Sequence, residues 1–139
     1  MTTGVLGTNA RQDPRQVVNT LKKTINYNDP GIGTGVPFDN PLPQNAFIMR
    51  VLVEIVAVFN AVTTNVLTVG TVGAAYNNIV AAADVNEGVA GVYDVTRALG
   101  RALTAAGDVL PYAMYTQSGG AATTGQAIIL IAFEGGWTT

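Results

Sequence analysis

Neither cysteine nor histidine occurs in the 139 residues. The first absence excludes disulfides and thiolate metal sites, and the second removes the usual proton carrier, so Ser-His, Cys-His and zinc constellations cannot be built. Charge is scarce as well, at 12% of residues against about 25% in an ordinary soluble domain. Much of the exterior must therefore be Thr, Asn, Gln, Gly and Ala. Such a surface repels its own copies weakly and suits a protein that ends packed against others. The longest uninterrupted apolar run, residues 127–133, is far below the ~20 residues of a membrane-spanning helix. The opening MTTGVLGTNARQD lacks the charged-then-apolar pattern of a signal peptide, so a chain made in the cytoplasm and kept soluble is expected, with no membrane partner.

The few charges are unevenly placed. Residues 1–27 carry Arg11, Arg15, Lys22 and Lys23 against Asp13, a net of +3, while residues 28–139 carry three arginines against eight carboxylates, a net of −5. A basic arm on an acidic body fits a protein partner better than nucleic acid, because no dense basic run or aromatic stacking platform accompanies the charges.

Along the chain, Asp13-Pro14 offers an N-cap followed by a first-turn proline, and Val17, Val18, Leu21 and Ile25 follow at helical spacing. This predicts a short amphipathic helix over 14–24. Residues 26–45, NYNDPGIGTGVPFDNPLPQN, hold four of the six prolines and three glycines, which reads as an irregular or extended connector, either disordered or lying along a partner. Residues 1–45 are thus expected to form an amino-terminal arm and connector, and residues 46–139 a β-sandwich domain. The pattern changes at FIMRVLVEIVAVF, residues 47–59. Phe47, Met49, Val51, Val53, Ile55, Ala57 and Phe59 share one face by the period of two, an all-apolar face expected in the core. The other face mixes Arg50 and Glu54 with aliphatics, so it is expected half-buried, under the arm or against another subunit. Asn60 to Asn65 supply turn residues and Val66 to Thr71 resume strand character, which predicts a β-hairpin over 47–71. Further strands are predicted at 78–82, 91–96, 109–117 and 126–134, with a helical turn within 97–107 in balance with its Gly100. Short strands at regular spacing indicate an all-β chain, an antiparallel sandwich or barrel; the expectation is a β-sandwich with a jelly-roll-like connection.

Searches for chemistry return structural readings. Asp84, Asn86 and Glu87 in AADVNEG lack the spaced acidic ligands of a calcium loop and read as an acidic turn. Asp84, Glu87, Asp94 and Asp108 are the clustered carboxylates available for glycoside hydrolysis, but Trp137 at the far end is the single tryptophan platform. GGAATTGQA, residues 119–127, places Gln126 and Ala127 where a phosphate loop needs Lys and Ser/Thr, so it reads as a glycine-rich β-turn. Arg50 and Glu54 share a strand face and are expected to ease each other's partial burial. No catalytic, cofactor or metal site is expected.

The order of motifs is informative where the chemistry is not. LPQNA at 42–46, a strand ending in VFN, then TTNVLTVGT, IVAAADV and YTQSGGAATTGQAIILIAFE resemble small β-rich virion proteins of tailed bacteriophages over residues 42–134. The resemblance implies a decoration or cement protein that binds the major capsid protein lattice and stabilises the joints between capsomers, often as a trimer, with an amino-terminal arm over neighbouring subunits. On that arm the partner-contacting residues are expected to be Arg11, Arg15, Val17, Leu21, Lys22, Lys23, Ile32 and Phe38. The competing expectation is a carbohydrate- or receptor-binding module of a head fibre, neck or tail. Its aromatic residues, Tyr76, Tyr93, Tyr112, Tyr115 and Trp137, are dispersed in sequence, with Tyr112 and Tyr115 on opposite faces of one strand.

Overall fold

A computed structural model describes residues 18–135. Within them the chain forms seven strands: β1 (Val18–Asn26), β2 (Val36–Pro37), β3 (Phe47–Ala57), β4 (Thr64–Gly70), β5 (Gly91–Val95), β6 (Tyr112–Ser118) and β7 (Gln126–Glu134), with a 3-10 turn at Ala82–Asp84. One sheet has the order β1-β7-β3-β5 and the other β2-β6-β4. Successive strands alternate between the sheets, and every paired neighbour is antiparallel. This is a jelly-roll order. The strand that would flank β4 is reduced to one bridge between Val69 and Val80.

The two sheets face each other across an apolar core. β7 reads QAIILIAFE and buries every second residue, Ala127, Ile129, Ile131 and Phe133, the pattern of a strand with one face in the core. Opposite it lie Leu67, Val69, Ala113 and Tyr115 of the smaller sheet. Tyr115 is 1% exposed; its ring meets Phe59 at 4.5 Å, and its hydroxyl donates to Asn65 Oδ1 at 2.6 Å.

Four expectations are corrected. The predicted helix over 14–24 is strand β1 from residue 18 onward, and its Asp13-Pro14 cap lies outside the described residues. Leu21 and Ile25 are four apart, a spacing that both periods satisfy, and the β-branched Val18, Thr20, Thr24 and Ile25 favour the extended form. The predicted hairpin over 47–71 is instead a crossing between sheets: β3 pairs with β5 and β7, whereas β4 pairs with β6. Phe59 and Ala61 in the connecting segment are buried, anchoring the chain as it passes around the core edge. Residues 78–82 give a single bridge rather than a strand. The segment 97–107 forms turns, bridged at Gly100 to Ile48, with Thr104 buried and its hydroxyl donating to the Ala46 carbonyl at 2.6 Å.

β3 also departs from simple alternation. A bulge between Ile48 and Arg50 shifts its register against β7, so Ile48 turns inward and is fully buried while Phe47 and Met49 stand 55% and 45% exposed. One extra residue in a strand exchanges the faces of those before it. Val51, Val53, Ile55 and Phe59 occupy the core as expected, whereas Ala57 is half-buried.

Candidate interaction surface

The residues expected on a partner-binding arm divide into three groups. Arg11, Arg15 and Val17 lie outside the described residues. Leu21, Ile32 and Phe38 are 9%, 7% and 3% exposed and belong to the chain's own core, so their side chains are not presented to a partner. Only the lysines of β1 reach the surface. Lys23 leans from the sandwich rim toward Asp39, 3.8 Å away, and Lys22 points outward from the four-stranded sheet. The connector 26–45 does lie along a partner, but the partner is its own body. Ile32 O accepts from Tyr115 N–H, Phe38 N–H donates to Pro111 O, and Leu42 exchanges two backbone bonds with Val109. A boundary at residue 45 therefore falls inside the sandwich.

Carboxylates sort into structural roles. Both oxygens of Asp84 accept from Arg97, at 2.9 and 3.0 Å, and Oδ2 also accepts from Ala81 N–H. The Arg97 bond holds its carboxyl below the ordinary range. Arg50 pairs across the strands with Asp94 at 3.2 Å, not with Glu54 as its spacing in β3 suggested.

Glu87, read from the sequence as part of an acidic turn, is buried. It is 6% exposed, and Oε1 accepts from Leu67 N–H at 2.6 Å, serving the edge of β4 where the flanking strand is missing. Burial pushes its carboxyl upward. A raised folded pKa means that the stabilising neutral form is present below the ordinary glutamate range and lost as pH rises through the folded value. Glu87→Gln keeps an acceptor for Leu67 without a charge to desolvate. It is therefore expected to match or exceed the parent's melting temperature at pH 7, with the gap closing toward about pH 4. Glu87→Ala orphans the Leu67 N–H and should cost about 1–3 kcal/mol. Melting curves from pH 4 to 8 check this; a Gln variant as unstable as the Ala variant, with no pH trend, would refute it.

The aromatic residues are less dispersed than the sequence suggests. Tyr76 stacks on Tyr112 with centroids 4.7 Å apart at 18°, and a Cβ at Gly35 would press into the Tyr76 ring. Tyr76 belongs to a loop, 71–78, that folds over the outside of the three-stranded sheet and there meets Tyr112 of β6. Thr68 Oγ1 donates to Ala75 O, Asn78 bonds the backbone and side chain of Thr71, and Gly70 lies beneath residues 76–78. The outer face of the four-stranded sheet carries no such cover among the described residues. Leu52, Ile128 and Leu130 stand half-buried there beside Lys22, Glu54 and Val92, lining a shallow groove of about 260 Å³.

No protein-family model matches the sequence, and no curated protein matches it. Among solved structures, the chain is similar to a chain of the cyanophage Pam1 capsid asymmetric unit, with a TM-score of 0.63 at 17% identity over 84% of this chain and 83% of that one. At that identity the likeness establishes the sandwich fold.

Proposed function

We propose that this protein is a non-enzymatic virion component of a tailed phage, a decoration protein that binds the major capsid protein lattice from outside and strengthens its joints. The observation that carries the reading is the fold likeness, which spans most of both chains and whose other member is part of a capsid asymmetric unit. The low charge, the absence of histidine and cysteine and a bare apolar sheet face support assembly as the work, since repetition over a lattice multiplies modest contacts. Residues 1–17, with Arg11 and Arg15, carry the arm role in this reading, because residues 18–45 are part of the body. Mixing the purified protein with capsids lacking it and sedimenting the mixture tests the proposal. Saturable binding at a copy number matching the lattice sites is expected. A few copies per particle would favour a neck, tail or fibre component, and no binding would overturn the capsid reading.

A further inference from the structure

We propose that the outer face of the β1-β7-β3-β5 sheet is a self-association surface, covered by a second copy of this chain related by a twofold axis. A sheet with one face in the core is expected to turn polar residues to water on the other. Here the outer face carries Leu52, Ile128 and Leu130 at its centre, Val92 at 63% exposure on one side, and Val18, Phe47 and Met49 at one end, where Glu134 of β7 stands between Val18 and Phe47. The β3 bulge adds to this patch by turning Phe47 and Met49 outward. An exposed apolar patch of this extent marks an interaction surface.

The charges on the face indicate which partner fits. Pairing sets Lys22 beside Leu130 and Leu52 on one rung, and Thr24 beside Ile128 and Glu54 on the next. Lys22 and Glu54 therefore occupy opposite corners of a rectangle whose middle is Leu130 and Ile128. Among the described residues neither has an ion-pair partner, while Arg50 and Asp94 on the same face are paired with each other. A twofold axis lying in the plane of the face, passing between Leu130 and Ile128 and perpendicular to that diagonal, exchanges the corners. Lys22 of each copy then meets Glu54 of the other, twice per dimer, around an aliphatic centre. Self-complementarity of one patch is what an isologous contact requires, whereas a trimer uses two different patches.

This inference concerns the protein free in solution and does not rest on the capsid reading. Sedimentation of the full chain from about 1 to 100 μM should show a monomer–dimer equilibrium. Leu130→Asp should raise the dissociation constant at least thirtyfold or so, as loss of a central anchor does. Lys22→Glu and Glu54→Lys should each raise it about tenfold, and the double reversal should return it to within about threefold of the parent. Lys22 and Glu54 are exposed and Leu130 points away from the core, so unchanged circular dichroism and melting serve as the folding control. A monomer throughout, a trimer, or a dimer indifferent to the charge reversals overturns the proposal. So does a chain that dimerises only after residues 1–17 are removed, which would assign the face to its own amino-terminal segment.

Discussion

Removal of residues 1–45 is expected to abolish folding, whereas removal of residues 1–17 is expected to leave a cooperative melting transition within a few degrees of the full chain. The longer deletion takes away β1 and five core side chains, Leu21, Ile25, Ile32, Phe38 and Leu42, none more than 9% exposed. At roughly 1.5–3 kcal/mol for each buried side chain, their combined contribution is as large as the roughly 5–15 kcal/mol net stability of a typical domain. The deletion also strips β7 of its backbone partners along the whole length of β1. Circular dichroism and limited proteolysis of the two truncations decide the matter. A stably folded 46–139 fragment would show that the connector is dispensable and that the core is smaller than described.

Gly125→Ala is expected to destabilise the fold by about 2–4 kcal/mol, combining backbone strain with overpacking. Gly125 has φ +150°, a conformation that L side chains rarely adopt, and a Cβ there would run into the ring of Phe59. That ring cannot swing aside cheaply, because it is buried and packed against the tilted ring of Tyr115. Gly107→Ala is the control: nothing lies within 4 Å of its added methyl and its φ is ordinary, so little change is expected. Denaturant unfolding of both variants measures the difference, and equal effects would remove Phe59 as the cause. The glycines at 119, 120 and 125 thus meet a packing demand, which the reading of the loop as a glycine-rich β-turn did not include.

How much of this was legible in the sequence depended on whether the signal was local. β5, β6 and β7 stand close to their predicted places because alternation of apolar and polar residues is written within each strand. β1 was misread because Leu21 and Ile25 satisfy two periods at once, and only its pairing with β7 chooses between them. The 47–71 pairing failed for a related reason. Two strands joined by a short polar segment look alike whether they turn back in one sheet or cross to the other, and the buried Phe59 and Ala61 that decide it sit inside the supposed turn. The connector's prolines and glycines announced irregular backbone correctly, but Ile32, Phe38 and Leu42, single apolar residues among them, are the anchors that bind it to the body. For the surface, the second face of β3 is expected half-buried, yet only Leu52 is so; Arg50, Glu54, Val56 and Val58 are exposed and Ile48 is in the core. The extension of that face across β7 and β1 required the sheet order.

The strand order also bears on how the molecule is made. β7, the last described strand along the chain, is the one inserted between β1 and β3. Until it leaves the ribosome, those two strands have no common neighbour and the core lacks Ala127, Ile129, Ile131 and Phe133. With no hairpin joining consecutive strands, little can form locally in advance. The described sandwich therefore cannot close before residues 126–134 are made, and a chain interrupted before residue 126 would present open strand edges and bare aliphatic surface to the cell, the condition in which β proteins aggregate.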